Sequence, residues 1–191
     1  MFFGVFGSIF LLSQFFQTAQ GYSPFEAGLR TLPWTAVPML VAPIAGIVCD
    51  RIGPRPLMIA GLALQSIALL WLAMISAPDT AYSSLIAPFI IAGTGMALVF
   101  APSASAILSA VRPEEAGQAS GATNAIRELG GVMGVAVLAT IFSANGSYAT
   151  PQAFSDGVVA ALPVGAAVLA VGAVVALFVP VAGPRSSVHL Q

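Results

Sequence analysis

Apolar residues form six long stretches of this chain, separated by short segments rich in Gly, Pro, Asp and Ser. A helix rises about 1.5 Å per residue, so about 20 mostly apolar residues cross the hydrocarbon core of a bilayer. Each stretch reaches that length. The predicted spans are residues 1–20, 24–49, 56–77, 82–111, 117–144 and 157–182, and residues 183–191 form a tail.

The pattern predicts helices rather than strands. Ser23, Pro24 and Glu26 form a capping-box signature at the start of the second span. Prolines inside the spans are tolerated in membrane bundles, where neighbouring groups satisfy the freed carbonyls. The short alternating segments of a β-barrel are absent from the sequence. The fold class is therefore an all-α membrane protein with one bundle of six transmembrane helices.

Composition agrees with membrane insertion. Hydrophobic residues make up 58% of the chain and charged residues 7%, whereas a soluble domain carries about 25% charged residues. The chain has no Lys and no basic run, so nothing indicates a nucleic-acid partner. A single cysteine, Cys49, excludes an internal disulfide.

The arginines predict the orientation of the bundle. With six spans, Arg51, Arg55, Arg112, Arg127 and Arg185 fall on one side, and only Arg30 falls on the other. Cytoplasmic loops carry the excess of basic residues. We therefore expect a multi-pass protein of the cell (inner) membrane with both termini in the cytoplasm.

Polar residues concentrate in the first and fifth spans. Gln14 and Gln17 share one helical face, as do Asn124, Arg127 and Glu128. Polar groups inside membranes usually face the bundle interior or a water-filled cavity, so these two spans are predicted to line a cavity and spans three and six to lie outside. Two alternatives stay open: the amides only join helices, and Arg127 anchors its helix at the interface by snorkelling.

Glu128 is the one carboxylate that the pattern places inside a span. A carboxylate at such depth is a candidate proton relay. The alternative is an acid in the first turns of the fifth span, near the cytoplasmic mouth.

Small residues mark the fourth and fifth spans. Such positions let helix backbones approach closely, slide or bend. The candidates for this packing role are Gly93, Gly95, Pro102, Gly121, Gly130 and Gly131.

The segment GIVCDRIGPRP at residues 46–56 concentrates charge in an otherwise apolar chain. It resembles the loop signature G-x-x-x-D-R-x-G-R-R of the major facilitator superfamily, with matches at Gly46, Asp50, Arg51, Gly53 and Arg55. Prolines stand at positions 54 and 56, where that family often has basic or apolar residues.

Three further segments resemble fourteen-span drug:proton antiporters of that family. They are FFQTAQGYSPFEAGLRTLP, with Phe15 where those proteins have tyrosine, GTGMALVFAP, and GQASGATNAIRELGGVMGVAV. The four matches occur in order between about residues 15 and 160.

The resemblance implies the C-terminal six-helix half of a transporter, so a fragment or a truncated gene product that lacks its N-terminal half is expected. It implies proton-coupled efflux of small amphipathic or drug-like compounds by two halves that rock about a central site. Spans one, two, four and five would line the cavity. The implied partners are a small-molecule substrate, protons, the lipid bilayer and the other half, with no cofactor.

The charged loop would then act as a gate. Asp50 is predicted at the C-terminal end of a helix, an unfavourable position for an anion. We expect Arg51, Arg55 or the N-terminus of a neighbouring helix to compensate it in one state and release it in the other. The alternative is a positive-inside turn in which Asp50 only caps the helix.

Other classes of function remain to be weighed. A membrane enzyme would need a catalytic cluster, but the only histidine, His189, lies in the tail and no Cys, His or Asp grouping has metal-ligand spacing. A non-transporting remnant that packs against a partner, or a carrier of another small solute, are the remaining alternatives.

Overall fold

A computed structural model describes residues 1–178, apart from the side chain of Ser109. The predicted tail at 183–191 and the last residues of the predicted sixth span lie outside this range. No strand occurs in residues 1–178, so the all-α prediction is confirmed. Six helices in this described range are long and apolar enough to cross a membrane. Their bounds are α1 Phe2–Gln14, which continues as a π-helical turn Phe15–Ala19, α2 Pro24–Ile52, α3 Pro54–Ile75, α4 Tyr82–Ser109, α5 Ala116–Asn145 and α6 Pro151–Ala176.

The start of α2 is fixed by the predicted capping box. The backbone N–H of Glu26 donates to Ser23 Oγ at 3.3 Å, and the N–H of Ser23 donates to Glu26 Oε2 at 2.9 Å. Pro24 occupies the first helical position, where its missing N–H costs nothing. The sequence prediction for this helix start is confirmed.

Ser23→Ala is expected to lower the free energy of unfolding by about 1 kcal/mol, because N-cap loss leaves helix N–H groups without acceptors. The measurement is reversible unfolding by SDS from mixed micelles. Thr35→Ala is the matched control, since the Thr35 hydroxyl makes only a 3.5 Å contact within its own helix. Equal stability of the Ser23 variant and the wild type would contradict the capping role.

The predicted start of the sixth span, residue 157, is wrong. The helix begins at Pro151, because Thr150 Oγ1 accepts from the N–H of Ala153 at 3.1 Å and proline suits the first helical position. The first turn also buries Phe154, whose ring centre lies 4.7 Å from that of Phe142. The polar residues of the segment 151–156 therefore form the start of a helix rather than a loop.

The helices pack in two corresponding groups of three. Helix α1 packs on α5 and α6, as α4 packs on α2 and α3, and α3 packs on α6 to join the groups. The largest buried side chains lie along these contacts. They are Trp34, Phe15, Phe16, Phe89 and Phe154.

Glycines allow the closest crossings of α4. A Cβ atom added at Gly93 would lie 2.5 Å from the carbonyl oxygen of Trp34 in α2. One added at Gly95 would lie 2.5 Å from the carbonyl oxygen of Gly61 in α3. Real Cβ atoms do not approach backbone this closely, so both predicted packing glycines lie where a side chain would separate the helices.

The other predicted packing residues have looser surroundings. A Cβ added at Gly131 would lie 3.3 Å from Phe6, one at Gly130 would make ordinary contact with α1, and one at Gly121 would meet nothing within 4 Å. Pro102 is buried inside α4, which continues through it. The tightest position in α5 is instead Gly134, where a Cβ would overlap the backbone of Phe3.

Gln65 of α3 is buried, and within residues 1–178 neither of its amide atoms has a hydrogen-bond partner. Since an unsatisfied buried polar group costs about 1–3 kcal/mol, Gln65→Met is expected to raise the free energy of unfolding by about 1 kcal/mol. Ser66→Ala should lower it by a similar amount, because Ser66 Oγ donates to the carbonyl of Ala166 at 2.8 Å. Unfolding of both variants in SDS measures these two opposite changes in the free energy of unfolding. A Gln65→Met variant less stable than the wild type would contradict the expected cost of the unpaired amide.

Candidate functional site

The two ends of the bundle differ in chemistry. One end, here called the basic end, holds the α2–α3 and α4–α5 connections with Arg51, Arg55 and Arg112. Arg112 pairs with Glu115 at 2.6 Å, and this hydrogen bond raises the pKa of its guanidinium. The opposite end, here called the tyrosine end, holds the other three connections with Tyr22, Tyr82, Tyr148 and Arg30.

The tyrosine end is held together around Arg30. The guanidinium carbon of Arg30 lies 3.7 Å from the ring centre of Tyr22 and 4.7 Å from that of Tyr82. The hydroxyl of Tyr82 donates to the carbonyl of Arg30 at 3.1 Å. Nearby, Gln20 Nε2 donates to the carbonyl of Thr80 at 2.9 Å. These contacts join the α1–α2 connection, α2 and the start of α4.

The two candidate glutamines of the first helix lie near the tyrosine end and are half-buried. Gln14 Oε1 accepts from the hydroxyl of Tyr148 at 2.7 Å, which links α1 to the α5–α6 connection. Gln17 Nε2 donates to the carbonyl of Ser13 at 3.1 Å within its own helix. Gln17 belongs to the π-helical turn, a feature often found at functional sites.

The α2–α3 turn is tighter than predicted. Helix α2 does not end at residue 49 but includes Asp50 and Arg51, and one residue, Gly53, separates it from α3. Gly53 has φ +82° and ψ 168°, a region that only glycine occupies readily, and its N–H donates to the carbonyl of Cys49 at 2.8 Å. Nothing before Gly53 stops the helix, which explains the longer α2. Gly46 lies one turn before Asp50, and a Cβ there would meet nothing within 4 Å.

The charges of this turn lie at unfavourable helix ends. Asp50 is exposed near the C-terminus of α2, and half-buried Arg55 lies in the first turn of α3. Each position opposes the helix dipole. Within residues 1–178, Asp50 forms no ion pair with Arg51 or Arg55.

The polar residues of α5 lie at the basic end, far from Gln14 and Gln17. The guanidinium carbon of Arg127 lies 4.6 Å from the ring centre of Phe100 and 5.4 Å from that of Phe2. Glu128 is exposed and lines an open groove of about 390 Å³ between α1 and α5. Asn124, also exposed, lies one turn nearer the start of α5.

The aromatic partners of Arg127, Phe2 and Phe100, could not be identified from the sequence. Inside an apolar span, a phenylalanine beside an arginine on another helix carries the same pattern as any core residue. No local signal separates the two. Sequence reasoning found the charged members of the cluster and missed the rings that hold Arg127.

The exposed surfaces of the helices divide the bundle into two sides. Along their middles, α3 and α6 expose apolar side chains such as Ile67, Leu70 and Val168, and the two polar residues of mid-α3 are buried. Helices α1, α2, α4 and α5 carry polar side chains that are exposed or half-exposed. These are Ser13, Gln17, Thr35, Thr94 and Asn124.

Comparisons with known proteins agree with this architecture. The family model described as Major Facilitator Superfamily matches residues 1–135. The chain is 35% identical over 144 residues to the multidrug resistance protein Stp of Mycobacterium tuberculosis, a match covering 75% of this chain and 26% of Stp. It is 33% identical over 141 residues to the multidrug efflux pump LfrA of Mycolicibacterium smegmatis, a match covering 74% of this chain and 28% of LfrA. It is 29% identical over 156 residues to the tetracenomycin C resistance and export protein of Streptomyces glaucescens. That match covers 82% of this chain and 29% of the export protein.

Six apolar helices in residues 1–178 indicate a multi-pass membrane protein. The chain belongs to the Major Facilitator Superfamily. Its six helices correspond to one half-bundle of that fold, as the sequence motifs predicted. The matched region spans between a quarter and a third of the length of the relatives named above.

Proposed function

We propose that this chain is one half of a secondary active transporter that exports small amphipathic, drug-like compounds in exchange for protons by alternating access. The names of Stp, LfrA and the tetracenomycin C export protein support efflux of such compounds. Small-molecule transport is the activity of the family, and the second half-bundle is the partner that alternating access requires.

The single observation that carries the proposal is the two-sided surface of the bundle. Polar groups are disfavoured on a helix side that faces lipid, because burying them in hydrocarbon costs free energy. The outer sides of α3 and α6 meet that condition in their middle turns, whereas α1, α2, α4 and α5 present amides and hydroxyls. The latter side therefore suits a partly aqueous path between two halves.

The orientation is proposed from the arginines. The basic end would face the cytoplasm of the inner membrane, with both termini on that side. Arg30, which among residues 1–178 is the one arginine at the tyrosine end, is covered by two tyrosine rings, as suits a cation at an aromatic interface belt.

Roles for individual residues follow from their places. Gln14 and Gln17 would contact solute toward the outer end of the path. Asn124 and Arg127 would line its cytoplasmic end, and Glu128 is the local candidate for a proton carrier. The charged turn around Asp50 would act as a gate.

The test is accumulation of a fluorescent amphipathic compound, such as ethidium, by cells that express the complete gene product. Cells with the transporter should hold less dye, and Gln17→Ala should restore accumulation without changing the amount of protein in the membrane. Ser147→Ala, in an outer connection, is the matched control. Equal dye levels with and without the transporter, over a panel of neutral and cationic compounds, would overturn the proposal.

A further inference from the structure

Three prolines lie inside α2, namely Pro33, Pro38 and Pro43. A proline has no N–H, so each one leaves the carbonyl four residues earlier in the helix without its ordinary intrahelical donor. The three carbonyls are those of Leu29, Trp34 and Met39. Hydrogen-bond acceptors therefore outnumber donors along the backbone of this helix.

These carbonyls differ in their surroundings. The carbonyl of Trp34 is covered by α4, because a Cβ atom added at Gly93 would lie only 2.5 Å from its oxygen. Met39, near the middle of α2, is 78% exposed and is the most exposed of the three residues. Its carbonyl is therefore the freed acceptor that a solute on the exposed side of α2 can reach.

Two threonines add acceptors on the same face of α2. Thr31, Thr35 and Met39 are spaced four residues apart, so they line one side of the helix. The hydroxyl of Thr31 donates to the carbonyl of Gly28 at 2.8 Å, and that of Thr35 to the carbonyl of Thr31 at 3.5 Å. Each hydroxyl thus directs its proton to its own helix and leaves oxygen lone pairs for a solute. The two threonine oxygens and the carbonyl oxygen of Met39 are here called the acceptor stripe.

Side-chain donors are scarce beside the acceptor stripe. Among the described residues 31–48, the remaining side-chain donor is the indole N–H of Trp34, which is buried. Arg30 lies at the outer end of the stripe, but its guanidinium is stacked on the rings of Tyr22 and Tyr82. A solute that complements the stripe carries hydrogen-bond donors, since a solute with oxygen acceptors alone would place acceptors against acceptors.

We propose that the acceptor stripe binds the N–H groups of protonated amines. The ammonium group would donate to the hydroxyl oxygens of Thr31 and Thr35 and to the carbonyl of Met39, while the apolar part of the solute lies along the exposed side chains of Leu40 and Ile44. A quaternary ammonium ion carries the same charge but has no N–H, so the stripe distinguishes the two kinds of cation. The inference rests on the proposed function in one respect, which is that the exposed side of α2 faces the path between the two halves.

The test measures the binding of four ammonium ions to the complete gene product in nanodiscs by isothermal titration calorimetry, with empty nanodiscs as the blank. The ions are adamantylammonium and its mono-, di- and trimethylated forms, which share one charge and lose one N–H at each step. The wild type should bind the primary ammonium ion about tenfold more tightly than the trimethylated ion. Partition into lipid has the opposite order, because each methyl group adds apolar surface.

Two variants remove acceptors from the stripe in different ways. Thr35→Val keeps the shape of the side chain without its oxygen and should reduce the preference to about threefold, whereas Thr35→Ser should retain it. Pro43→Ala returns a backbone donor to the carbonyl of Met39 and should have a similar effect without loss of stability, because alanine favours helix over proline. Pro163→Ala, in α6 on the outer side of the bundle, is the matched control.

Several outcomes overturn the acceptor stripe. Equal affinity of the wild type for all four ions does so, and this is also the result expected if the exposed side of α2 packs against the other half. A preference that survives both Thr35→Val and Pro43→Ala overturns it as well. Normal efflux together with equal affinities would reject this inference and leave the proposed function standing. A clear preference in a protein that transports none of the compounds would do the reverse.

Discussion

Gly134→Ala is expected to destabilise the bundle by about 3 kcal/mol, the upper end of the range for overpacking. The added methyl group would overlap the backbone of Phe3 where α1 crosses α5. Backbone cannot move aside as a flexible side chain can, so the two helices must separate and their contacts along the crossing weaken. Reversible unfolding in SDS measures the loss, and size-exclusion chromatography in detergent reports the folded fraction.

Gly121→Ala is the matched control on the same helix. A methyl group there meets nothing within 4 Å, and alanine favours helix over glycine. This variant should therefore be as stable as the wild type or more stable by up to about 1 kcal/mol. If both variants lose the same stability, the cost lies in changing glycine within a membrane helix and not in the α1–α5 crossing.

Asp50→Asn, in the complete transporter, is expected to reduce the efflux rate by about tenfold while insertion stays normal. The exposed carboxylate has no ion-pair partner in this conformation within residues 1–178 and opposes the dipole of α2. We propose that it gains a charged hydrogen bond in the other transport state, where such a bond is worth about 1.5–3 kcal/mol. The measurement is the initial rate of dye efflux, normalised to the amount of transporter in the membrane.

Asp79→Asn controls for the removal of any exposed carboxylate. Asp79 lies in the α3–α4 connection at the opposite end, so its variant should export at the wild-type rate. Unchanged efflux by Asp50→Asn would leave the turn with a purely topological role, set by its arginines. Loss of the protein from the membrane in that variant would instead indicate a defect in insertion.

The number and type of the helices could be predicted because the signal is the length of each apolar run. About 20 such residues span a bilayer whatever their detailed order. The start of α2 was equally clear, since Ser23 and Glu26 satisfy each other's backbone groups within one turn. These features depend on local sequence alone.

The C-terminal end of α2 and the start of α6 were harder to predict from the sequence. Polar residues normally indicate a loop, but the segment after Pro151 is helical because Thr150 caps its first turn and Phe154 packs on Phe142 near the end of α5. Helix α2 continues through Asp50 because only Gly53 adopts the backbone angles that stop it. In both places the polar residues suggested a loop, but side-chain packing and capping in α6 and the backbone conformation of Gly53 after α2 set the helix boundary instead.

The candidate site, too, was predictable from the sequence only in part. The sequence identified Arg127 and Glu128 as unusual, because charge is rare inside apolar runs. It could not separate their roles, which depend on Phe2 and Phe100 around the arginine and on the groove that Glu128 faces. The sequence also suggested Gln14, Gln17, Asn124 and Arg127 as cavity residues, and the structure places the two glutamines near the tyrosine end and Asn124 and Arg127 at the basic end.

The most direct test of the central claim is transport by the complete gene product in everted membrane vesicles. Export then appears as uptake, and an acidic interior supplies the proton gradient. The account predicts that uptake of the substrate rises with the imposed gradient, stops when an uncoupler dissipates it, and makes the vesicle interior less acidic as substrate enters. Uptake that is indifferent to the gradient would contradict proton exchange, and no uptake of any compound would contradict transport itself.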